Sequence, residues 1–333
     1  MSKIGDLLRK HLNFFVPYST ARDDFKGDRG IFLDANENAL GSVISENWNR
    51  YPDPRQSHLK QVMGKIKGIA PECIFMGNGS DEPIDLLIRA FCEPGIDEVM
   101  IFPPTYGMYK VAANINNVSV NEVLLTQDFQ LDMTQIKSAL NDHVKIIFIC
   151  SPNNPTGNLI QVQDIWDLAT VFKGIIVIDE AYIDFTDTPS WIEVLSNFPH
   201  LVVLQTLSKA WGLASLRLGM AFCHPKIVDV LNLIKPPYNI SGPVQNHVLK
   251  ALKQEDQMRL FVEDIKELKK ELGLALEQLP IVLKVYPSEA NFFLVKFKEV
   301  QEVFQYLIRN EIIVRNRSGL VLCEDCIRIT VGT

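Results

Sequence analysis

The chain has 333 residues, enough for one large or two medium domains with a substantial buried core. Hydrophobic content of 47% and charged content of 22% are ordinary for a soluble globular protein, and a net charge of −7 argues against a general nucleic-acid binder, which would carry a basic face. No apolar run reaches membrane-spanning length, the first ten residues lack a signal peptide's apolar stretch, and the six scattered cysteines fit a reduced, cytoplasmic setting.

In chain order, short apolar strands are predicted at 73–76, 98–102, 145–150, 174–178, 201–204 and 218–222. Several are apolar on both faces, as strands covered on both sides by helices are. The stretches between them have amphipathic spacing, as at 83–91, and the alternation predicts an α/β fold with a largely parallel sheet. Beyond about residue 240 the texture changes. One or more long charged helices over 243–278, strands at 282–286 and 290–295, a helix near 299–309 and a hairpin over 312–331 make a smaller α+β unit. No repeat, low-complexity stretch or flexible linker intervenes, so the helix from about 243 is expected to bridge the two units.

Cys323-Glu324-Asp325-Cys326 has no second CxxC and no suitably spaced histidine, and no HxH or HExxH pattern occurs. No metal site is expected; Glu324-Asp325 reads as a hairpin turn between strands at 320–322 and 327–329.

The strand at 201–204 runs into a hydroxyl-rich turn, Thr206-Leu207-Ser208-Lys209, and Arg217 follows. A lysine so presented can form an imine with an aldehyde. The hydroxyls, backbone N–H groups and guanidinium can hold a phosphate. Pyridoxal 5′-phosphate (PLP) carries both groups. Taken alone, Lys209 reads equally as a solvated surface charge. Four further loops, each predicted at the carboxyl end of a strand, count against that, because ligands of open α/β sheets bind at that edge.

In Gly77-Asn78-Gly79-Ser80-Asp81-Glu82-Pro83, glycines let the backbone approach an anion, and the following helix offers free N–H groups. Pro83 suits a first helical turn; an ordinary turn capped by Ser80 or Asp81 is the competing reading. Glu82 stands where a dinucleotide fingerprint has its third glycine, and no Walker A pattern occurs. In Pro103-Pro104-Thr105-Tyr106-Gly107, Tyr106 can stack on a flat ring, or fill a core. Two prolines and a glycine in Ser151-Pro152-Asn153-Asn154-Pro155-Thr156-Gly157 aim Asn154, whose amide can donate to a phenolate oxygen. Asp179-Glu180-Ala181-Tyr182 ends an apolar strand in a carboxylate, which is costly without a partner. A protonated pyridine nitrogen or a structural ion pair would serve.

These segments in this order, above all Ser151 to Gly157, Asp179 to Tyr182 and Ser208-Lys209-Ala210-Trp211-Gly212, resemble the fold-type I PLP-dependent aminotransferases of the aspartate aminotransferase superfamily (class I and II) over nearly the whole chain. The resemblance implies an α/β protein, with a large domain built on a mostly parallel mixed sheet and a smaller α+β domain. It implies Lys209 as the Schiff-base lysine, Asp179 as partner of the pyridine nitrogen, and Asn154 and Tyr182 as hydrogen-bond partners of the ring oxygen O3′. Tyr106 would stack on the ring, and Gly79, Ser80, Asp81, Thr206, Ser208 and Arg217 would surround the phosphate.

Segments nearer the ends are similar to histidinol-phosphate aminotransferases: Val16-Pro17-Tyr18-Ser19-Thr20-Ala21-Arg22, Leu33-Asp34-Ala35-Asn36-Glu37-Asn38, Arg50-Tyr51-Pro52-Asp53-Pro54 and Arg328-Ile329-Thr330-Val331-Gly332-Thr333. That family exchanges an amino group between L-histidinol phosphate and 2-oxoglutarate in histidine biosynthesis, as a cytoplasmic homodimer with shared active sites. Tyr51 would reach the PLP phosphate of the neighbouring subunit. Tyr18, Asn36, Arg315 and Arg328 would contact substrate, Arg328 gripping phosphate and carboxylate in turn. A guanidinium forks onto either anion, and both arginines read as embedded in apolar strands, where an unpaired charge is costly.

The implied organisation is an N-terminal arm with part of the small domain in 1–35, a large PLP-binding domain in 36–242, and a small domain in 243–333. The family usually continues past Val331-Gly332-Thr333 into a closing helix, which this small domain is expected to lack. An aromatic aminotransferase or a threonine-phosphate decarboxylase would share the cofactor loops. A non-catalytic PLP-binding regulatory domain would need an attached DNA-binding segment, for which the first ~35 residues are short. The missing third glycine disfavours a dinucleotide-dependent oxidoreductase.

Overall fold

The computed structural model of the chain describes residues 4–16 and 30–333. β1 (Ile74–Asn78), β2 (Glu98–Ile101), β3 (Ser119–Glu122), β4 (Val144–Cys150), β5 (Ile175–Asp179), β6 (Leu201–Thr206) and β7 (Leu218–Cys223) form one sheet, ordered β1-β7-β6-β5-β4-β2-β3. β7 is antiparallel to both of its neighbours and every other pair is parallel. The other six strands therefore deliver their carboxyl ends to one edge. The polar strand β3 is missing from the sequence reading; Ser-Val-Asn-Glu suits an exposed sheet edge rather than a core.

The unbroken apolar runs of β4 and β5 have a direct cause. Ile147, Ile149, Ile176 and Ile178 enter one core cluster, and Ile146, Phe148, Ile175 and Val177 enter the other. Alternate side chains thus point to opposite faces, and both faces are dry.

The helices are α1 (Ile4–Leu7), α2 (Ser57–Lys67), α3 (Asp81–Phe91), α4 (Met108–Ile115), α5 (Met133–Ala139), α6 (Val162–Val171), α7 (Pro225–Ile234), α8 (Gly242–Ala251), α9 (Glu255–Glu277) and α10 (Val300–Arg309). Through their buried residues, α2, α5, α6 and α8 pack on one face of the large sheet, and α1, α3, α4 and α7 on the other. α3 shows the rule: Ile84, Leu87, Ile88 and Phe91 fall at i, i+3, i+4 and i+7 and are all buried. Burying each such side chain stabilises by about 1.5–3 kcal/mol, and the stripe fixes where the α3 N-terminus sits.

A second sheet, β8 (Val282–Val285), β9 (Phe292–Phe297), β10 (Arg315–Asn316) and β11 (Cys326–Thr330), is antiparallel throughout in the order β10-β11-β9-β8. The 243–278 stretch resolves into α8 and α9. The bridging element is α9, not the helix that starts near 243: Val248 of α8 joins the large-sheet core, whereas Val262 of α9 packs beside Tyr182 and Leu276 beside Ile327. The 312–331 hairpin needs correction. Residues 320–322 are not a strand; the partner of β11 is β10, and a loop closed by Leu320 and Cys323 turns intervenes. Cys323 is buried there, with Leu320 and Leu322 packed partly buried against the same core, while Val321 stays exposed. Residues 312–314 are likewise outside any strand, and Arg315 is exposed rather than embedded. Among the described residues no helix is long and apolar enough to cross a membrane.

Candidate active site

A cleft opens at the carboxyl edge of the large sheet, where ligands of open α/β sheets bind. Gly79, Ser80, Asp81, Tyr106, Asn154, Asp179, Tyr182, Thr206, Ser208, Lys209 and Arg217 all line it. These come from five separate strand ends, which the single exception in strand direction does not disturb.

The anion side is built by a close crossing. Gly79 has φ +69° and donates its N–H to the Arg217 carbonyl at 2.7 Å. A Cβ on Gly79 would lie 2.5 Å from Arg217 Nη2, and one on Gly219 would overlap the Gly79 carbonyl carbon. Only glycine at both positions lets the start of β7 cross the β1–α3 loop. Arg217, itself at φ +53°, then reaches Asp81 Oδ2 at 3.3 Å. Ser80 takes the N-cap position of α3 without a side-chain capping bond, which leaves the helix's first amides available to an anion. Glu82 turns away; its Oε2 accepts from the Asn78 N–H at 2.6 Å and braces the loop. Ser208 donates its N–H to Thr206 Oγ1 at 3.1 Å, which presents both hydroxyls beside the crossing.

On the other side, Asp179 ends β5 fully enclosed. Its Oδ2 accepts from the Tyr109 hydroxyl at 2.7 Å and its Oδ1 from the Ala181 N–H at 3.1 Å. Burial pushes its carboxyl up to about 6, against the pull of those two donors. No cation pairs with Asp179 among the described residues. A cationic ring nitrogen would supply that counter-charge. Lys209 Nζ lies 5.4 Å from the centre of the Tyr182 ring. It is open to the cleft, yet partial desolvation and then the Arg328 charge lower its pKa, while Asp179 opposes the shift. Tyr106 donates to Asp81 Oδ1 at 3.0 Å and meets Tyr109 edge-on, so its ring is held at the mouth.

Asn153 ties two loops together: its Nδ2 donates to the Pro104 carbonyl at 2.8 Å and its Oδ1 accepts from Thr105 Oγ1 at 3.0 Å. Asn154 is thereby aimed, and its Oδ1 accepts from Arg328 Nη1 at 2.5 Å. Arg328 also lies over the Phe292 ring, 5.2 Å from its centre, which brings β11 to the cleft. The neighbouring carboxylate, Glu180, faces away from the cleft, where Ser190, the Trp191 N–H and Gln205 bind it.

The remaining predicted residues are placed elsewhere. Asn36 and Tyr51 line a different cavity, where Tyr51 stacks on Tyr238 with ring centres 4.5 Å apart. Arg315 sits directly across the strand pair from Arg328. Tyr18 lies outside the described residues. Tyr109, in the first turn of α4, is not singled out by the sequence alone; its signal is an aromatic three residues after Tyr106. The sequence reading also misses Cys150, which lines the cleft from the end of β4.

The fold and cleft together are those of the fold-type I PLP-dependent aminotransferase scaffold. The chain belongs to the aminotransferase class I and II family, whose model matches residues 24–333, and within it to the histidinol-phosphate aminotransferases. It is 51% identical to the histidinol-phosphate aminotransferase of Cytophaga hutchinsonii over 99% of this chain and 95% of that one. In fold it is similar to the histidinol-phosphate aminotransferase of Sinorhizobium meliloti in complex with pyridoxal-5′-phosphate, with TM-score 0.80, 21% identity, and 90% and 85% of the two chains covered. The L-threonine-O-3-phosphate decarboxylase of Porphyromonas gingivalis has a similar fold as well, at TM-score 0.75, 23% identity, and 86% coverage of each chain. The fold alone therefore does not separate amino transfer from decarboxylation.

Proposed function

We propose that the chain exchanges an amino group between L-histidinol phosphate and 2-oxoglutarate, with PLP held on Lys209. The near-full-length identity to histidinol-phosphate aminotransferase carries this reading. The chemistry of the cleft fits the cofactor: an anion cradle that a Cβ would fill, and a buried carboxylate without a counter-ion.

Gly79, Ser80, Asp81, Thr206, Ser208 and Arg217 would surround the cofactor phosphate, and Tyr106 would cover one ring face. When bound, PLP supplies an electron sink that acidifies the hydrogen on the substrate Cα. Asp179, kept ionised by the ring nitrogen, would hold the ring cationic. Asn154 and Tyr182 would hydrogen-bond the ring oxygen. Lys209, whose lowered pKa favours the neutral amine, would take the proton from the substrate Cα. Arg328, aimed by Asn154, and Arg315 would grip the substrate anion.

In this reading the protein is a cytoplasmic homodimer; its cofactor-binding unit is the large sheet with the helices packed on it, α1 and α8 included, so the small domain begins after α8 rather than at 243. Exposed Ile31, Leu33, Leu40 and Val43 support a second copy as their cover, and Tyr51, half exposed on its own cavity, would reach across to the neighbouring cofactor. Six free cysteines suit a reducing compartment.

The test is product analysis with PLP-loaded protein, L-histidinol phosphate and 2-oxoglutarate. L-glutamate should form, and Lys209→Ala should form none. Release of CO2 in place of glutamate would make the protein a decarboxylase, and glutamate formation from aromatic amines alone would overturn the substrate.

A further inference from the structure

The smaller sheet has two unlike faces. Phe293, Val295 and Ile327 share a cluster with Leu276 of α9, whereas Phe292, Leu294 and Cys326 belong to clusters that include large-sheet or cleft residues. Arg328, two residues on from Cys326, lies on this second face. Arg315 is its direct partner across the strand pair. Arg317 is the first residue past β10, and its N–H donates to the Cys326 carbonyl at 2.9 Å. Alternation therefore places Arg315, Arg317 and Arg328 together on the face turned to the cleft.

Among the described residues none of the three has an ion pair. Arg328 spends one N–H on Asn154, and the Nε atoms of Arg317 and Arg328 are buried without a partner. Like charges opposite each other in a sheet are destabilising, and a desolvated guanidinium without a partner is worse. Desolvation first, then the charges of Arg328 and Arg315, hold Arg317 below its usual pKa. Such crowding is tolerable where a strongly charged anion binds.

We propose that Arg317 is a specificity-determining residue of the substrate site, a third guanidinium that favours a phosphate-monoester dianion over a carboxylate. The inference rests on the histidinol-phosphate reading above. A phosphate monoester near neutral pH carries about −1.5 to −2 charge and three acceptor oxygens. A carboxylate carries one charge and two oxygens, which Arg315 and Arg328 already satisfy. The third guanidinium finds a partner only on phosphate.

The test compares wild type, Arg317→Gln and Arg317→Lys, each loaded with PLP to the same level. Calorimetric titration of inorganic phosphate should show binding about tenfold weaker in Arg317→Gln, with partial recovery in Arg317→Lys. In single-turnover half-reactions, kcat/KM for L-histidinol phosphate should fall at least about fivefold further than that for L-glutamate. Equal losses with both donors would mean that Arg317 merely braces its neighbours, and would overturn the proposal. Unchanged phosphate affinity in Arg317→Gln would overturn it too. If the wild type ignored L-histidinol phosphate, the functional reading would fall; weaker inorganic-phosphate binding in Arg317→Gln would still support the anion subsite.

Discussion

Tyr109 donates its hydroxyl to Asp179 Oδ2 at 2.7 Å, with both side chains buried. The bond matters because Asp179 titrates near 6 and Tyr109 is among the groups holding it that low. Tyr109→Phe should raise the Asp179 pKa further. PLP affinity, which needs the carboxylate ionised against the ring nitrogen, should then fall off at a higher pH than in wild type. Titrating cofactor into the apoprotein between about pH 5 and pH 8 measures this; superimposable pH profiles would remove the role assigned to Tyr109.

Glu180 gives a stability prediction with a definite sign. Burial raises its carboxyl to about 7 from an ordinary 4.5, so the folded chain holds an extra proton between those values. Its stabilising contribution is complete below about pH 4.5 and is lost as pH rises through about 7. Glu180→Gln cannot ionise. The drop in urea midpoint between about pH 5 and pH 8 should be smaller in Glu180→Gln than in wild type.

The Gly79–Arg217 crossing predicts a coupled loss. Gly79→Ala places a Cβ against the guanidinium in a backbone region disfavoured for side chains. Stability should fall by about 1–3 kcal/mol, and PLP affinity should fall with it as Arg217 is displaced. Thermal unfolding and cofactor titration read the two effects separately. A fall in stability with cofactor affinity intact would dissociate Arg217 from the phosphate.

Arg328→Lys keeps the charge but loses the fork that lets one N–H serve Asn154 while others face the cleft. KM for both amino donors should rise about tenfold or more while PLP content stays that of wild type. Normal KM values would place the substrate anion elsewhere.

Much of the large sheet was legible because β4, β5 and β6 are buried on both faces and read as continuous apolar runs. The edge strand β3 was not, since Ser119 and Glu122 carry no apolar period, and neither was the β10–β11 loop. There an apolar stretch, 320–323, forms turns that bury Cys323 and partly bury Leu320 and Leu322 instead of pairing as a strand. Hydrophobicity reports burial; it does not report which backbone shape achieves it.

The sequence by itself determined the cleft's local parts: Lys209 after one strand, Asp179 after another, Asn154 in a proline-framed turn, and Gly79 in a glycine-rich loop. Each depends on a few consecutive residues, and the common direction of six strands brings those parts to one edge. Only the tertiary structure decided that Tyr109 supports Asp179 from 70 positions away, that Arg328 reaches Asn154 across 174, and that Asn36 and Tyr51 share a different cavity. Those contacts come from packing between elements, and no spacing along the chain encodes them.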